Sequence, residues 1–272
     1  MRVQIFDVEH GSCALVTADT GARILIDCGH NTTTGWRSSN YLNNLGISHL
    51  EKLIITNYDE DHASDLENIL NVVSVGTLTT NPSVTGNNLK HLKGIREIRG
   101  GINTLADMKN RYTAPVSGPG PDFGDLSFSY FWNRYPTDFE DENNLSLVVI
   151  MKAYGLTMCF PGDMEVPGWQ NLLGNMAFRE AIGGVNILNA SHHGRENGCC
   201  DELFSQTALF PVITIISDSG VQYATQETVA WYRARARGFQ LNGENRHVLT
   251  TRRDGRILVE ATPARTTVSV AV

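Results

Sequence analysis

Ile54-Ile55-Thr56-Asn57-Tyr58-Asp59-Glu60-Asp61-His62-Ala63-Ser64-Asp65-Leu66 is the stretch whose reading decides the fold. Lys52–Thr56 reads as a buried strand. It runs into a loop of three acids and a histidine. The spacing of Leu66, Ile69, Leu70 and Val73 predicts a helix directly afterwards. Asp59, Asp61 and His62 therefore sit at a strand end, on backbone clamped from both sides. Carboxylate and imidazole groups converging from such a turn suit a borderline divalent metal such as zinc, manganese or iron. The same stretch also reads as an acid-rich helix start, with Asp61 as N-cap and its neighbours complementing the helix dipole. An EF-hand is excluded: counting from Asn57, the sixth position is His62 rather than Gly and the twelfth is Asn68 rather than Glu.

Working outward, 272 residues suffice for one full α/β core. A composition of 41% hydrophobic and 19% charged residues places the chain among ordinary globular proteins. The net charge of −7 argues against a protein that coats nucleic acid, but leaves room for a local basic groove. Arg2 leads straight into a short strand, so no signal segment is expected. No apolar run approaches the roughly 18 residues of a membrane span. Five cysteines without a signal segment point to a reducing cytoplasm, with Cys13, Cys28 and Cys159 as buried thiols.

Upstream of the opening stretch, residues 2–8, 14–18 and 23–27 read as a three-strand meander punctuated by Gly11, Gly21 and Gly29. Residues 36–45 read as a helix. Downstream, a strand is expected near residues 76–79. Residues 81–121, with Lys90, Lys93, Arg96, Arg99, Lys109 and Arg111, read as a basic, solvated insertion broken by Gly100-Gly101; a cover facing substrate is the alternative. Strands are expected at 124–132, 145–152, 156–160, 185–188, 212–217, 247–250 and 257–260. A helix carries Arg233, Arg235 and Arg237, and the last residues read as a tail. The strand-rich pattern occurs twice, before and after about residue 122. One domain over 1–272, built from two similar αβ halves, is the expected organisation.

Five landmarks, each at a predicted strand end, carry a family resemblance. They are Asp7-Val8-Glu9-His10-Gly11, Leu25-Ile26-Asp27-Cys28-Gly29, Asn57-x-Asp59-x-Asp61-His62, Gly162-Asp163 and Ser191-His192-His193-Gly194. In this order they resemble the metallo-β-lactamase fold, in the ComEC-like competence-protein branch. That branch writes the first metal motif H-x-D-x-D-H. The resemblance implies a four-layered αβ/βα sandwich, an α/β (α+β) fold with its site at one edge. It implies metal ligands among Asp59, Asp61, His62, Asp163, His192 and His193. Asp27 would support the site from behind; read without the resemblance, it is a strand-end carboxylate capping the next turn. Asn143-Asn144-x-Ser146 fits the family's Asn-rich segment before the second motif, so Asn57, Asn143 and Asp27 are expected behind the ligands or facing substrate.

The first motif is degenerate. Asn57 stands where the first ligand histidine belongs, and Thr225, aligned through Tyr223, stands where the last does. Adjacent His192 and His193 cannot both point the same way in extended chain, so one ligates and the other meets substrate or a carboxylate. Arg195 replaces the Ser of the family's H-H-G-S. His30 is a lone loop histidine, and Cys199-Cys200 read as buried thiols rather than extra soft ligands. The ligands suffice for one divalent ion, zinc or manganese, and are thin for two.

The function this implies is a metal-dependent hydrolase of a phosphoester, nuclease- or phosphodiesterase-like. Asp61 or Asp59 would orient or deprotonate the attacking water, and His192 would assist. The expected partners are a phosphoester substrate, nucleic acid included, and a protein in an assembly, with no membrane. The alternatives are a degenerate fold used as a binding or regulatory module, and a hydrolase of another ester or lactam.

Overall fold

A computed structural model describes residues 1–94, 100–115, 117–220 and 227–271. Short strands rich in Ile, Leu and Val form wherever the sequence alternates or runs apolar between glycine turns. β1 (Arg2–Ile5), β2 (Cys13–Thr17) and β3 (Arg23–Cys28) make an antiparallel meander. Then come α1 (Ser38–Asn44), β4 (His49–Ile54), α2 (Glu60–Ala63), α3 (Leu66–Val72) and β5 (Ser74–Thr79), with β4 and β5 parallel to β3. α4 (Gly86–Leu92) and α5 (Gly100–Arg111) bridge to the second half.

That half repeats the plan. β6 (Ser127–Phe131), β7 (Val148–Ala153) and β8 (Leu156–Phe160) form another antiparallel meander. α6 (Val166–Leu172), α7 (Met176–Gly183), β9 (Ile187–Asn189), α8 (Asp201–Ser205) and β10 (Ile213–Ile216) follow, β9 and β10 parallel to β8. The chain continues through α9 (Val229–Arg233), the hairpin β11 (Phe239–Leu241) and β12 (Glu244–Arg246), β13 (Val248–Thr250) and α10 (Thr251–Asp254), then β14 (Arg256–Ala261) and β15 (Thr266–Ala271).

Among the described residues, seven strands form one sheet in the order β15-β14-β1-β2-β3-β4-β5. Six form another, β13-β10-β9-β8-β7-β6. The two sheets face each other over a shared core that includes Val3, Val16, Ile24 and Ile26 from the first and Val149, Met151, Met158 and Ile215 from the second. The outer face of the first sheet is covered by α1, α3 and α5 through Leu42, Leu66, Ile69 and Leu105. The outer face of the second is covered by α6, α7, α8 and α9 through Trp169, Phe178, Leu203 and Tyr232. The result is the four-layered αβ/βα sandwich. Burying each Leu, Ile, Val or Phe side chain contributes roughly 1.5–3 kcal/mol, so the alternating strand pattern itself sets which face turns inward.

Two expectations are corrected. Residues 81–121 are not a solvated insertion through α4 and α5, although 110–115 and 117–121 are exposed. Ile102, Leu105, Ala106 and Met108 of α5 are buried in the helical layer. Gly100-Gly101 is a site of close packing rather than a break: a Cβ on Gly101 would stand 1.7 Å from the Ala63 carbonyl oxygen. The Gly101 and Ile102 N–H groups donate to the Glu60 carboxylate at 2.9 and 3.2 Å, satisfying the start of α5. The C-terminal residues are not a tail either. β15 pairs with β14 along its whole length, and Val268 and Val270 pack on the inter-sheet core.

Lys109 of α5 is turned inward. Its ammonium reaches the Thr80 hydroxyl and the Asn81 carbonyl oxygen at 3.2 Å, and lies 3.4 Å from the Tyr58 hydroxyl. Burial pushes its pKa down from 10.5 to about 7. Below the folded value the group is charged in both states, and folding bears the cost of burying it. Between the two values unfolding takes up a proton. Wild-type stability relative to Lys109→Met should therefore rise from pH 7 toward pH 10, by at most about 1.4 kcal/mol per pH unit. Denaturant melts at several pH values will check this; a difference that does not change with pH refutes it.

Candidate metal centre

The site is assembled at the carboxyl ends of β3, β4, β8, β9 and β10. It begins with an irregularity in β3. Cys13 pairs with Cys28 and Ala14 with Ile26, so Asp27 is left as an extra, unpaired residue. Its φ of 57° is left-handed, the signature of a bulge that re-aims a side chain. The Asp27 carboxylate accepts the Thr56 N–H at 2.7 Å and the Thr56 hydroxyl at 2.6 Å, and its Oδ2 lies 3.0 Å from His62 Nδ1. All three residues are buried. The opposite nitrogen of His62 is thereby aimed away from β3.

Two glycines let the motif loop approach. A Cβ on Gly29 would lie 2.2 Å from the Asp61 carbonyl oxygen, and one on Gly11 2.5 Å from it. Ser12 N–H donates to that same oxygen. Gly11 and Gly29 are therefore the bare surfaces against which the Asp61 backbone rests. After β8, the Asp163 N–H donates to Ser146 Oγ at 3.1 Å. After β9, His192 and His193 both adopt left-handed backbone, φ 50° and 52°. The His192 N–H is tied to the Gly162 carbonyl, which joins the histidine turn to the Gly162-Asp163 loop.

These loops bring Asp61, His62, Asp163 and His193 together, with one ligand-type atom from each lying within 4.8 Å of the others. His62 Nε2 is 3.0 Å from Asp163 Oδ1 and 3.3 Å from His193 Nε2. His193 Nε2 is 3.3 Å from both Asp163 Oδ1 and Asp61 Oδ2. Bonds of about 2.0–2.2 Å to one ion put neighbouring ligand atoms roughly 2.8–3.6 Å apart, from octahedral to tetrahedral geometry. These four separations fall in that range. Two imidazole nitrogens cannot face each other across 3.3 Å without a cation or proton between them, so the donor set fits a divalent ion. Behind the ligands, His62 Nδ1 faces Asp27, and His193 Nδ1 lies 3.1 Å from the Ser217 carbonyl oxygen, which fixes both rings.

The electrostatics agree. Burial works to discharge His62, but the fields of Asp163 and Asp27 overcome it and hold the ring well above its ordinary pKa. His193 is likewise driven against burial, chiefly by Asp163, up to about 10. Burial also opposes charge on Asp163, and the two histidines hold it well below the carboxylate range. The surrounding carboxylates thus bias both rings toward the protonated form.

The other expected residues stand elsewhere. Asp59 lies outside the cluster, ion-paired with Lys93, which also reaches Glu142 Oε1 at 3.0 Å. It is the residue preceding α2, with no side-chain cap bond. Asp61, the N-cap of the alternative reading, lies inside α2. The fully buried Asn57 donates to Asn143 Oδ1 at 3.2 Å and accepts the Tyr58 N–H. Asn143 in turn donates to Glu165. His192 is not in the cluster: its Nδ1 lies 3.3 Å from Glu165 Oε1 and its Nε2 faces an Arg195 guanidinium nitrogen at 3.4 Å. Burial lowers its pKa, leaving it neutral at pH 7. His30 pairs with Ser64 Oγ. Burial pushes the Cys199 and Cys200 thiols up to about 11, away from a ligating thiolate. Thr225 and Tyr223 lie outside the described residues.

Sequence reasoning gave no role at the site to Glu165 or the Ser217 carbonyl, and read Lys93 only as part of a basic segment. Only Glu165 had a signal, two residues after Asp163.

The family model described as the metallo-beta-lactamase superfamily matches residues 6–137. ComE operon protein 3 of Bacillus subtilis (strain 168) is 26% identical over 232 residues, 79% of this chain; the chain spans only 28% of that protein. Among solved structures, Igni18, described as a novel metallo hydrolase from the hyperthermophilic archaeon Ignicoccus hospitalis KIN4/I, aligns with a TM-score of 0.52 at 14% identity. It covers 96% of this chain and 100% of its own. A mutant of the CmlA beta-hydroxylase aligns with a TM-score of 0.54 at 12% identity, over 95% of this chain and 54% of that one. The chain has the metallo-β-lactamase fold.

In this metallo-β-lactamase-fold chain the Asp27 bulge is the part of the centre most open to test. Asp27→Asn keeps the shape and removes the charge that orients His62. Metal affinity should fall about 10- to 100-fold, read by competition with a chromogenic chelator; an unchanged affinity refutes the support role. Because both rings are biased toward the protonated form, binding should release protons and strengthen as pH rises toward 9. Calorimetry in buffers of different ionisation enthalpy measures the release, and zero protons released refutes it.

Proposed function

We propose that the chain is a metal-dependent hydrolase of small phosphoesters, holding one zinc or manganese ion on Asp61, His62, Asp163 and His193. The convergence of those four donor atoms within 4.8 Å, with His62, Asp163 and His193 at 3.0–3.3 Å from one another, carries the reading. A bound divalent ion supplies a Lewis acid and a water of lowered pKa.

The chain's own groups supply the rest. Of the four, Asp61 is the one open to solvent, its side chain 40% exposed against 1–4% for the others. It therefore faces incoming water and orients or deprotonates it. Arg195, in place of the family's Ser, extends its guanidinium beside His192, which stands next to the acidic pair Asp163 and Glu165. Arg195 offers planar donors to phosphoryl oxygens, and neutral His192 accepts its N–H and holds it in place.

Charge distribution favours a small substrate over long nucleic acid. Lys90 is paired with Asp107, Lys93 with Asp59 and Glu142, and the half-buried Lys109 is bonded to the Asn81 carbonyl oxygen. In the Arg-rich stretch, Arg235, Arg246 and Arg252 are paired with Asp201, Asp254 and Asp218 at 2.7 Å. These six cations are engaged within the chain rather than free to track a phosphate backbone. No helix among the described residues is long and apolar enough to cross a membrane. Five free cysteines suit a reducing cytoplasm.

A second reading, a binding or regulatory module on a degenerate site, draws support from Asn57, whose amide is bonded away from the ligands. One assay separates the two. With manganese, magnesium or zinc, the chain should hydrolyse bis-p-nitrophenyl phosphate with little response to salt. Asp61→Ala and Asp163→Ala should each fall to background. Cleavage of single-stranded DNA, where present, should drop steeply with salt. No turnover of either substrate with any of these metals sinks the hydrolase and leaves the module.

A further inference from the structure

A dinuclear centre in this fold needs a second set of ligands, and the first-motif positions that would supply it, Asn57 and Asp59, are occupied by other bonds. Asn57 stands at the first ligand position. Its amide oxygen accepts the Tyr58 N–H and its amide nitrogen donates to Asn143. Asn143 passes its own N–H to Glu165 Oε1 at 2.9 Å. Both amides are thus already bonded to other groups, and neither offers an ion an imidazole or a carboxylate. A second metal therefore does not fit the residues present.

What Asp59 holds instead is an organic cation. The Lys93 ammonium bridges Asp59, from the first motif, and Glu142, beside Asn143. Its side chain is only 14% exposed. The placement is built, since Lys93 is the residue that ends α4. The start of α4 is closed by a reciprocal Thr85–Asn88 capping box, and Gly86 allows it to lie directly on α5, where a Cβ would meet the Ala106 carbonyl oxygen at 2.2 Å. A half-buried carboxylate pair needs a counter-charge, and this one comes from the chain.

We propose that Lys93 takes the place of the second metal ion, a fixed single charge between Asp59 and Glu142 that completes the centre with one divalent ion. The proposal rests on the four-ligand reading above. Lys93 is a positioning residue: it neutralises and orients Asp59, two residues before Asp61.

Counting metal tests it without an activity assay. Chelator-stripped chain is loaded with manganese, desalted, and analysed for manganese per chain, with unbound ion followed by electron paramagnetic resonance. Wild type should bind one equivalent. Lys93→Met keeps the stem and frees two carboxylates, so a weaker second equivalent should appear, with a further manganese-dependent rise in melting temperature. Lys93→Arg keeps the charge and should remain at one. Asp59→Asn should leave the first equivalent within about twofold of wild-type affinity; this holds the proposal to account even where Lys93→Met fails to fold. A tenfold loss in Asp59→Asn makes Asp59 a ligand and overturns the proposal. So does a single equivalent in folded Lys93→Met, or two in wild type. Wild type that binds none removes the four-ligand centre itself.

Discussion

The centre depends on one buried contact, the Asp27 carboxylate against His62 Nδ1 at 3.0 Å. Asp27 can make it only because the β3 bulge turns its side chain toward the end of β4. Once made, it commits His62 Nε2 to the space shared by Asp163 and His193. Removing a partner from such a network strands a buried charge, at a cost of about 3–5 kcal/mol. Two buried carboxylates, Asp27 and Asp163, are balanced by two imidazoles raised well above their ordinary pKa. Exchanging two ring protons for one divalent ion conserves that balance. The same groups that stabilise the metal-free fold are thus the groups proposed to receive metal.

Close backbone approach is the second constraint. Gly11, Gly29 and Gly101 each stand where a Cβ would overlap a carbonyl oxygen of the first motif. The motif loop and α2 are pressed from the strand side by two glycines and from the helix side by one. Glu60, within the motif, closes the start of α5. The acid-rich run therefore divides its labour: Asp61 and His62 face the centre, Glu60 fixes a helix, and Asp59 holds Lys93.

The landmarks legible in the sequence were those whose spacing is local. Strand-end acids, the histidine pair and the punctuating glycines can be read within a few residues of each other, and they foretold the sandwich. Other features were hidden because they depend on distant partners. Gly100-Gly101 looks like a helix breaker until Ala63 is seen against it. Thr266–Ala271 alternates weakly and becomes a strand only beside β14. His192 and His193 are equivalent on paper; left-handed backbone at both, anchored through the Gly162 carbonyl, separates their directions. Lys93 lies 34 residues from Asp59 with nothing local to link them.

Asn57 and Lys93 are best understood as one change. A motif histidine replaced by a neutral amide would leave Asp59 as an uncompensated charge near the other carboxylates of the site. Repulsion between them would disturb Asp61, the ligand open to water. An ammonium delivered from α4 removes that repulsion without a second ion. It also lowers the charge at that position from the two units of a metal to one. On this account the first motif has not decayed. Its acids are all engaged, two of its residues facing the metal position and one facing a lysine, and the loss of one imidazole is matched by the gain of one cation.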